Sequence, residues 1–219
     1  MVRLLRRVLA VAALAACCLQ SAAADRLAAL APDSPAGRQL VERLRACGLV
    51  LFFRHADTRG EPCDRSYRVG DRAGQRNLSP AGRAQAAQIG TALKALRIPV
   101  EMPVLAGPVF RARDTAELAF DAGAVTVTDS LLADDYAGGR LEWVLAEHRR
   151  LMAAPVRRGS NRVLVGHRTP AILVLGDPVA GPALPESGAV VIEPGPAGPK
   201  AVGILALVPL VGDGFHGCG

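Results

Sequence analysis

Aromatic residues are scarce: one Trp, two Tyr and five Phe make up 4% of 219 residues. A core built from this chain must be packed with small aliphatic side chains, and Ala, Val, Leu and Gly are there to supply them. Lysine is scarcer still. Lys94 and Lys200 are the two in the chain, so arginine carries almost all of the positive charge. Arginine suits forked contacts to phosphate, although genome composition accounts for such a bias equally well. No basic run is interleaved with aromatics, which argues against nucleic acid as a partner. No Cys-x-x-Cys pair occurs, which argues against a metal knuckle or a thioredoxin-like site. His148 and His216 stand at no metal-ligand spacing and read as surface residues. The sequence has no internal repeat and no linker long enough to divide it.

The first 24 residues do have a pattern. Arg3, Arg6 and Arg7 precede the apolar run Val8 to Ala16, and Ala22-Ala23-Ala24 precedes Asp25. This is the plan of a secretory signal peptide, and the run is too short to span a bilayer as a helix. The expected location is therefore outside the cytoplasm, periplasmic or secreted. Leu14-Ala15-Ala16-Cys17 resembles a bacterial lipoprotein signal, which leaves a lipid anchor at Cys17 as the alternative. Loss of the leader takes the formal charge from +6 down by three, to +3. Cys47, Cys63 and Cys218 remain, and in an oxidising compartment two of them can pair, in any of three ways.

The rest, residues 25–219, reads as a single domain in which strands alternate with helices. Ser34-Pro35 starts a helix running to about Ala46. Leu49 to Phe53 is a continuous apolar run, the pattern of a strand buried on both faces. Residues 57–78 form a long polar loop rich in Arg and Gly. Ser79-Pro80 opens a helix with an apolar stripe at Ala84, Ala87, Ile89, Ala92, Leu93 and Leu96, ended by Pro99. A short strand at Val104-Leu105, a turn at Ala106-Gly107-Pro108 and a helix from Val109 to Phe120 follow. Then come a strand at Val125–Val127, an acidic Gly-rich loop from Leu131 to Gly139, and an amphipathic helix from Leu141 to Ala153. Arg162–Val165 is a second buried strand, broken at Gly166-His167. Two more strands are expected at 188–193 and 201–208. Such alternation predicts an α/β fold, three layers with a mostly parallel central sheet.

Four polar features fall at strand exits or helix starts, where such sheets gather ligands. They are Arg54-His55, Arg111, Asp134-Asp135 and His167. Together they have the chemistry of phosphoryl transfer. Arg54 and Arg111 can clamp a phosphoryl group, and a helix start at Arg111 can add amide donors. One histidine can attack phosphorus while the other, protonated, stabilises the equatorial oxygens. An aspartic acid can protonate the leaving oxygen. No cofactor and no metal enters the scheme.

The order of these motifs resembles the histidine phosphatase superfamily, the relatives of phosphoglycerate mutase and the acid phosphatases. Arg54-His55-Ala56-Asp57-Thr58 is similar to its Arg-His-Gly-Glu-Thr signature. Gln75-Arg76-Asn77-Leu78-Ser79-Pro80-Ala81-Gly82-Arg83-Ala84-Gln85-Ala86 is similar to its Leu-Ser-x-x-Gly-x-x-Gln-Ala helix start. Gly107-Pro108 with Arg111-Ala112 and Thr115-Ala116 is similar to Ser-Pro-x-x-Arg-Ala-x-x-Thr-Ala, and Val163 to His167 is similar to the late strand carrying its second histidine. The resemblance runs from about residue 48 to 168. It implies a phosphoglycerate mutase-like fold and hydrolysis of a small phosphorylated substrate through a phosphohistidine on His55. Arg54, Arg111 and His167 would complete the phosphate pocket. Asp134 would be the general acid, with Asp135 next and Glu186 as an outside candidate. Thr58, Asn77 and Arg168 would line the site. Gly107 stands where the family has Ser, and Arg168 where it commonly has Asn. The alternative function is a phospho-ligand binding module of the same fold with weak turnover.

Overall fold

The computed structural model describes residues 26–58 and 64–215. The leader, Cys63, His216 and Cys218 lie outside the described residues. The expected disulfide pairings involve residues among these, as does the lipid anchor at Cys17. Among the described residues, no helix is long and apolar enough to cross a membrane.

Among the described residues, seven strands make one sheet: β1 (Ala29–Leu30), β2 (Val50–Arg54), β3 (Val104–Ala106), β4 (Val125–Val127), β5 (Arg162–Gly166), β6 (Ala189–Glu193) and β7 (Lys200–Leu205). Their order across the sheet is β1-β7-β6-β2-β5-β3-β4. The pairs β1/β7, β2/β5, β3/β5 and β3/β4 are parallel, while β6 runs antiparallel to β2 and β7. The sheet is thus mostly parallel, as expected. The helices are α1 (Pro35–Arg45), α2 (Pro80–Ala95), α3 (Phe110–Phe120), the one-turn α4 (Asp134–Ala137), α5 (Leu141–Ala153) and α6 (Arg168–Leu175).

The apolar run of β2 shows why the chain forms three layers. Successive strand residues point to opposite faces. Leu51 and Phe53 pack with Leu44, Ile89, Leu93 and Ala116 from α1, α2 and α3. Val50 and Phe52 pack with Leu151, Met152 and Ala171 from α5 and α6 on the other side. Both faces are covered, so β2 reads as unbroken hydrophobicity rather than alternation.

Two departures bear on the site. The loop expected over 131–139 contains α4, a helix too short to show any period in the sequence. Arg168–Leu175, where the sequence pattern marks no element, forms α6 with His167 as its N-cap residue. A third correction concerns His148, which is fully buried rather than on the surface. Its Nδ1 donates to the Val144 carbonyl at 2.8 Å, one turn back in α5, and its ring packs near Phe52.

Candidate active site

β2 and β5 are adjacent and parallel, with Arg54 opposite Gly166. The residues just past them, His55 and His167, therefore leave the sheet side by side. Their ring centroids are 5.4 Å apart. The His55 amide donates to the Gly166 carbonyl at 3.1 Å, and the His55 carbonyl accepts from the Ser187 amide at 3.0 Å. Both flanking strands fix its backbone. Because β6 is antiparallel, the turn that enters it, Glu186-Ser187-Gly188, arrives at this same sheet edge.

A cavity of about 210 Å³ opens here, lined by Arg54, His55, Arg76, Arg111, Asp134, Asp135, His167, Arg168 and neighbours including Thr169 and Phe215. Seven of the residues chosen from the sequence thus meet in one place. Two do not. Thr58 donates its hydroxyl to Glu186 at 2.9 Å. Asn77 spends its side-chain amide on the Arg72 and Gln75 carbonyls, at 2.9 and 2.7 Å. Glu186 is outside the lining as well. It is buried, accepts from Arg54 at 3.4 Å, and holds the arginine rather than facing a leaving group.

The His55 ring has one defined tautomer. Its Nδ1 is 2.9 Å from the Ala56 carbonyl, and a carbonyl can only accept, so Nδ1 carries the proton and Nε2 the lone pair. Burial holds its pKa well below the ordinary value, with Arg111, Arg54 and His167 acting in the same direction. His55 is therefore a free base at neutral pH. His167 is held down likewise, by burial first and then by Arg111 and His148. The protonated partner expected from the sequence is thus held toward the neutral imidazole. Asp134 shifts the opposite way: burial raises its pKa and Asp135 adds to the effect.

Arg54 and Arg111 are each held by a carboxylate whose side chain is buried. Arg54 gives Nη2 to Glu186 and Nη1 to the Leu184 carbonyl at 3.2 Å, and burial lowers its pKa to about 10. Arg111 gives Nη1 to both oxygens of Asp64, at 3.1 and 3.0 Å. Nε of each arginine is buried and has no hydrogen-bond partner among the described residues. Arg76 lines the cavity, and Asp64 and Tyr136 stand behind Arg111; the sequence motifs single out none of the three. Asp64 sits in the 57–78 loop with no local pattern to mark it. Arg76 lies within the second motif, next to the chosen Asn77, and its presence there is the one available signal.

Local sequence explains how the parts are held. Ser79 caps α2, accepts from the Gly82 amide at 2.8 Å, and donates to the Asp57 carboxylate. A Cβ on Gly82 would overlap the Asp57 carbonyl oxygen, so glycine lets α2 sit directly on the turn after β2. Asp57 thus ties that turn to α2. At α3, the Phe110 amide is taken by the Gln75 side chain at 3.0 Å and the Ala112 amide by the Val109 carbonyl at 2.9 Å. These two amides of the helix start are thus committed within the protein. Gly107 has its own reason for not being Ser: a Cβ there would overlap the Leu131 carbonyl oxygen.

A family profile described as the histidine phosphatase superfamily (branch 1) matches residues 50–162, just over half of the chain. No curated protein matches. Among solved structures, a putative phosphohistidine phosphatase SixA from Agrobacterium tumefaciens aligns at 21% identity and a TM-score of 0.46, over 73% of this chain and 98% of its own. TTHB049 from Thermus thermophilus aligns at 20% and 0.47, over 72% and 99%. A mycobacterial glucosyl-3-phosphoglycerate phosphatase aligns at 22% and 0.43, over 66% and 89%. Family membership rests on the profile match.

Proposed function

The chain belongs to the histidine phosphatase superfamily, branch 1, and from that premise we propose that it hydrolyses phosphomonoesters through a phosphohistidine on His55. One observation carries the reading. His55, pinned through Nδ1 to the Ala56 carbonyl, shares a cavity with Arg54, Arg111 and His167.

In the first step the Nε2 lone pair forms a bond to phosphorus and the ester P–O bond breaks. Phosphoryl transition states spread charge over the equatorial oxygens. Arg54, Arg111 and His167 meet that charge with donors already in place. The departing alkoxide takes the proton of Asp134, whose raised pKa suits a general acid. In the second step the Asp134 carboxylate takes a proton from water, the water oxygen bonds to phosphorus, and the P–N bond breaks. Inorganic phosphate leaves and His55 is again a free base. Arginines and histidine provide all of the charge stabilisation in this scheme, so turnover is expected to survive chelators. The leader pattern of residues 1–24 supports action outside the cytoplasm.

The test is hydrolysis of p-nitrophenyl phosphate by the mature chain with chelator present, compared with His55→Ala. Turnover that depends on His55, with an acid-labile phosphoryl group trapped on the protein, is the expected result. Absence of His55-dependent turnover across roughly pH 4 to 8, the range over which carboxyl and imidazole groups titrate, would sink the reading.

A further inference from the structure

The segment 64–78 places a carboxylate against the proposed phosphate clamp from outside the cavity. The Asp64 side chain is 4% exposed and that of Arg111 is 7% exposed. Asp64 is held from three sides: by Arg111 Nη1, by the Tyr136 hydroxyl at 2.8 Å, and by the Arg76 amide at 2.6 Å. Tyr136 follows the acid pair on α4, and its hydroxyl also lies 3.2 Å from the Ser66 carbonyl. Arg111 thus presents one edge to Asp64, while its Nε is buried beside the cavity without a hydrogen-bond partner among the described residues.

Two consequences follow for an anion that enters. The Asp64 contact orients Arg111 and keeps a buried guanidinium compensated while the pocket is empty. The same carboxylate is a fixed negative charge one guanidinium away from the bound anion, where little water screens it, and like charges at such range repel. We propose that Asp64 is a positioning residue acting through Arg111, and that its charge weakens retention of the phosphate product. This rests on the cavity being the phosphoryl site described above.

A purely structural role for Asp64 and a charge role predict opposite signs. If Asp64 only orients Arg111, replacing it loosens the clamp and phosphate binds more weakly. If its charge opposes the anion, Asp64→Asn binds phosphate more tightly, because the amide oxygen still accepts from Arg111 while the charge is gone. The experiment is calorimetric titration of inorganic phosphate into the His55→Ala chain, with and without Asp64→Asn. In that background no turnover intervenes, so the result is independent of whether the His55 chemistry is right. The expected outcome is tightening on the order of tenfold, the scale of one charge interaction in a partly screened site. Tyr136→Phe removes one hydrogen bond to Asp64 and keeps its charge, so it is expected to give no tightening. Unchanged or weaker binding in Asp64→Asn overturns the proposal. So does equal tightening in Tyr136→Phe, or a lack of phosphate binding both with and without Asp64→Asn. Should Asp64→Asn fail to fold, Asp64→Ser is scored by the same criteria.

Discussion

Arg54 and Arg111 are both buried guanidinium groups set against buried carboxylates, yet the two pairs are built from different material. Arg54 ends a central strand, and Glu186 sits in the turn that enters the adjacent antiparallel strand. The sheet register alone brings them together, and the Leu184 and Gly214 carbonyls hold the arginine from further sides. Arg111 stands in the first turn of α3, and Asp64 reaches it from a loop 47 residues earlier. That loop is fastened by side chains: Arg72 is bidentate to Asp114 at 2.6 and 2.8 Å and stacks 3.8 Å over the Phe110 ring. One half of the pocket is thus made by strands, and the other by a loop and a one-turn helix. The strand-made half carries His55 and fixes its tautomer. The loop-made half carries Asp134, the acid of the proposed mechanism, and sets Asp64 against Arg111.

Replacing Asp134 tests whether the loop-made half takes part in the chemistry. Asp134→Asn keeps the shape and removes the proton donor. Turnover of an alkyl phosphate should fall by roughly 10²- to 10⁴-fold, the usual contribution of a positioned acid. The loss should be smaller for the first transfer from p-nitrophenyl phosphate, read as the burst of nitrophenolate, because that leaving group needs the proton less. The pH profile carries the same information. The Asp134 pKa is raised, so the acid form persists above the ordinary carboxyl range and is lost as pH rises. The His55 pKa is depressed, so the nucleophile stays unprotonated down to pH values below 6.5. The wild-type rate is expected to peak on the acid side of neutrality, and Asp134→Asn to lose the alkaline decline. A variant that keeps full rate on the alkyl ester would remove α4 from the mechanism.

The difference between the halves also explains what could be read in the sequence. The fold, the sheet edge and the His55/His167 pair were legible because an apolar run that turns abruptly polar marks the end of a buried strand. Their neighbourhood follows from register, which the strand pattern encodes. Asp64 was not legible, since its role depends on a partner brought in by the whole fold. His148 was misread for a related reason: its polarity suggested surface, but a single bond to Val144 one turn back lets the imidazole lie in the core. At Asn77 motif and geometry diverge, because a place in a motif says nothing about the direction of a side chain.

Gly107→Ser sharpens the contrast from the structural side. In the motif that this stretch resembles Ser is usual, so one reading of Gly107 is a lost hydroxyl. The geometry gives another reason, since a Cβ would press on the Leu131 carbonyl oxygen, at the point where the chain departs toward α4. Restoring Ser is expected to cost about 1–3 kcal/mol of stability, the usual scale of overpacking. Thermal denaturation should show a midpoint lowered by roughly 2–4 °C per kcal/mol for a domain of this size. A stable Gly107→Ser chain with raised activity would show that the hydroxyl had been missing and that Leu131 can give way.

The smallest effect is expected at Asn77, where motif and geometry disagree. Its amide bonds to the Arg72 and Gln75 carbonyls, and it lies outside the cavity lining. Both bonds close the loop on itself and are partly open to water, so their removal exchanges protein partners for solvent at about 0.5–1.5 kcal/mol each at most. Asn77→Ala should therefore leave kcat unchanged and lower the melting midpoint by a few degrees at most. Any rise in KM should be accompanied by greater protease sensitivity of the 64–78 segment, because the loop holds Asp64 and through it Arg111. A fall in kcat with the loop intact would put Asn77 at the substrate after all, and would move the boundary of the loop-made half inward to the reacting group.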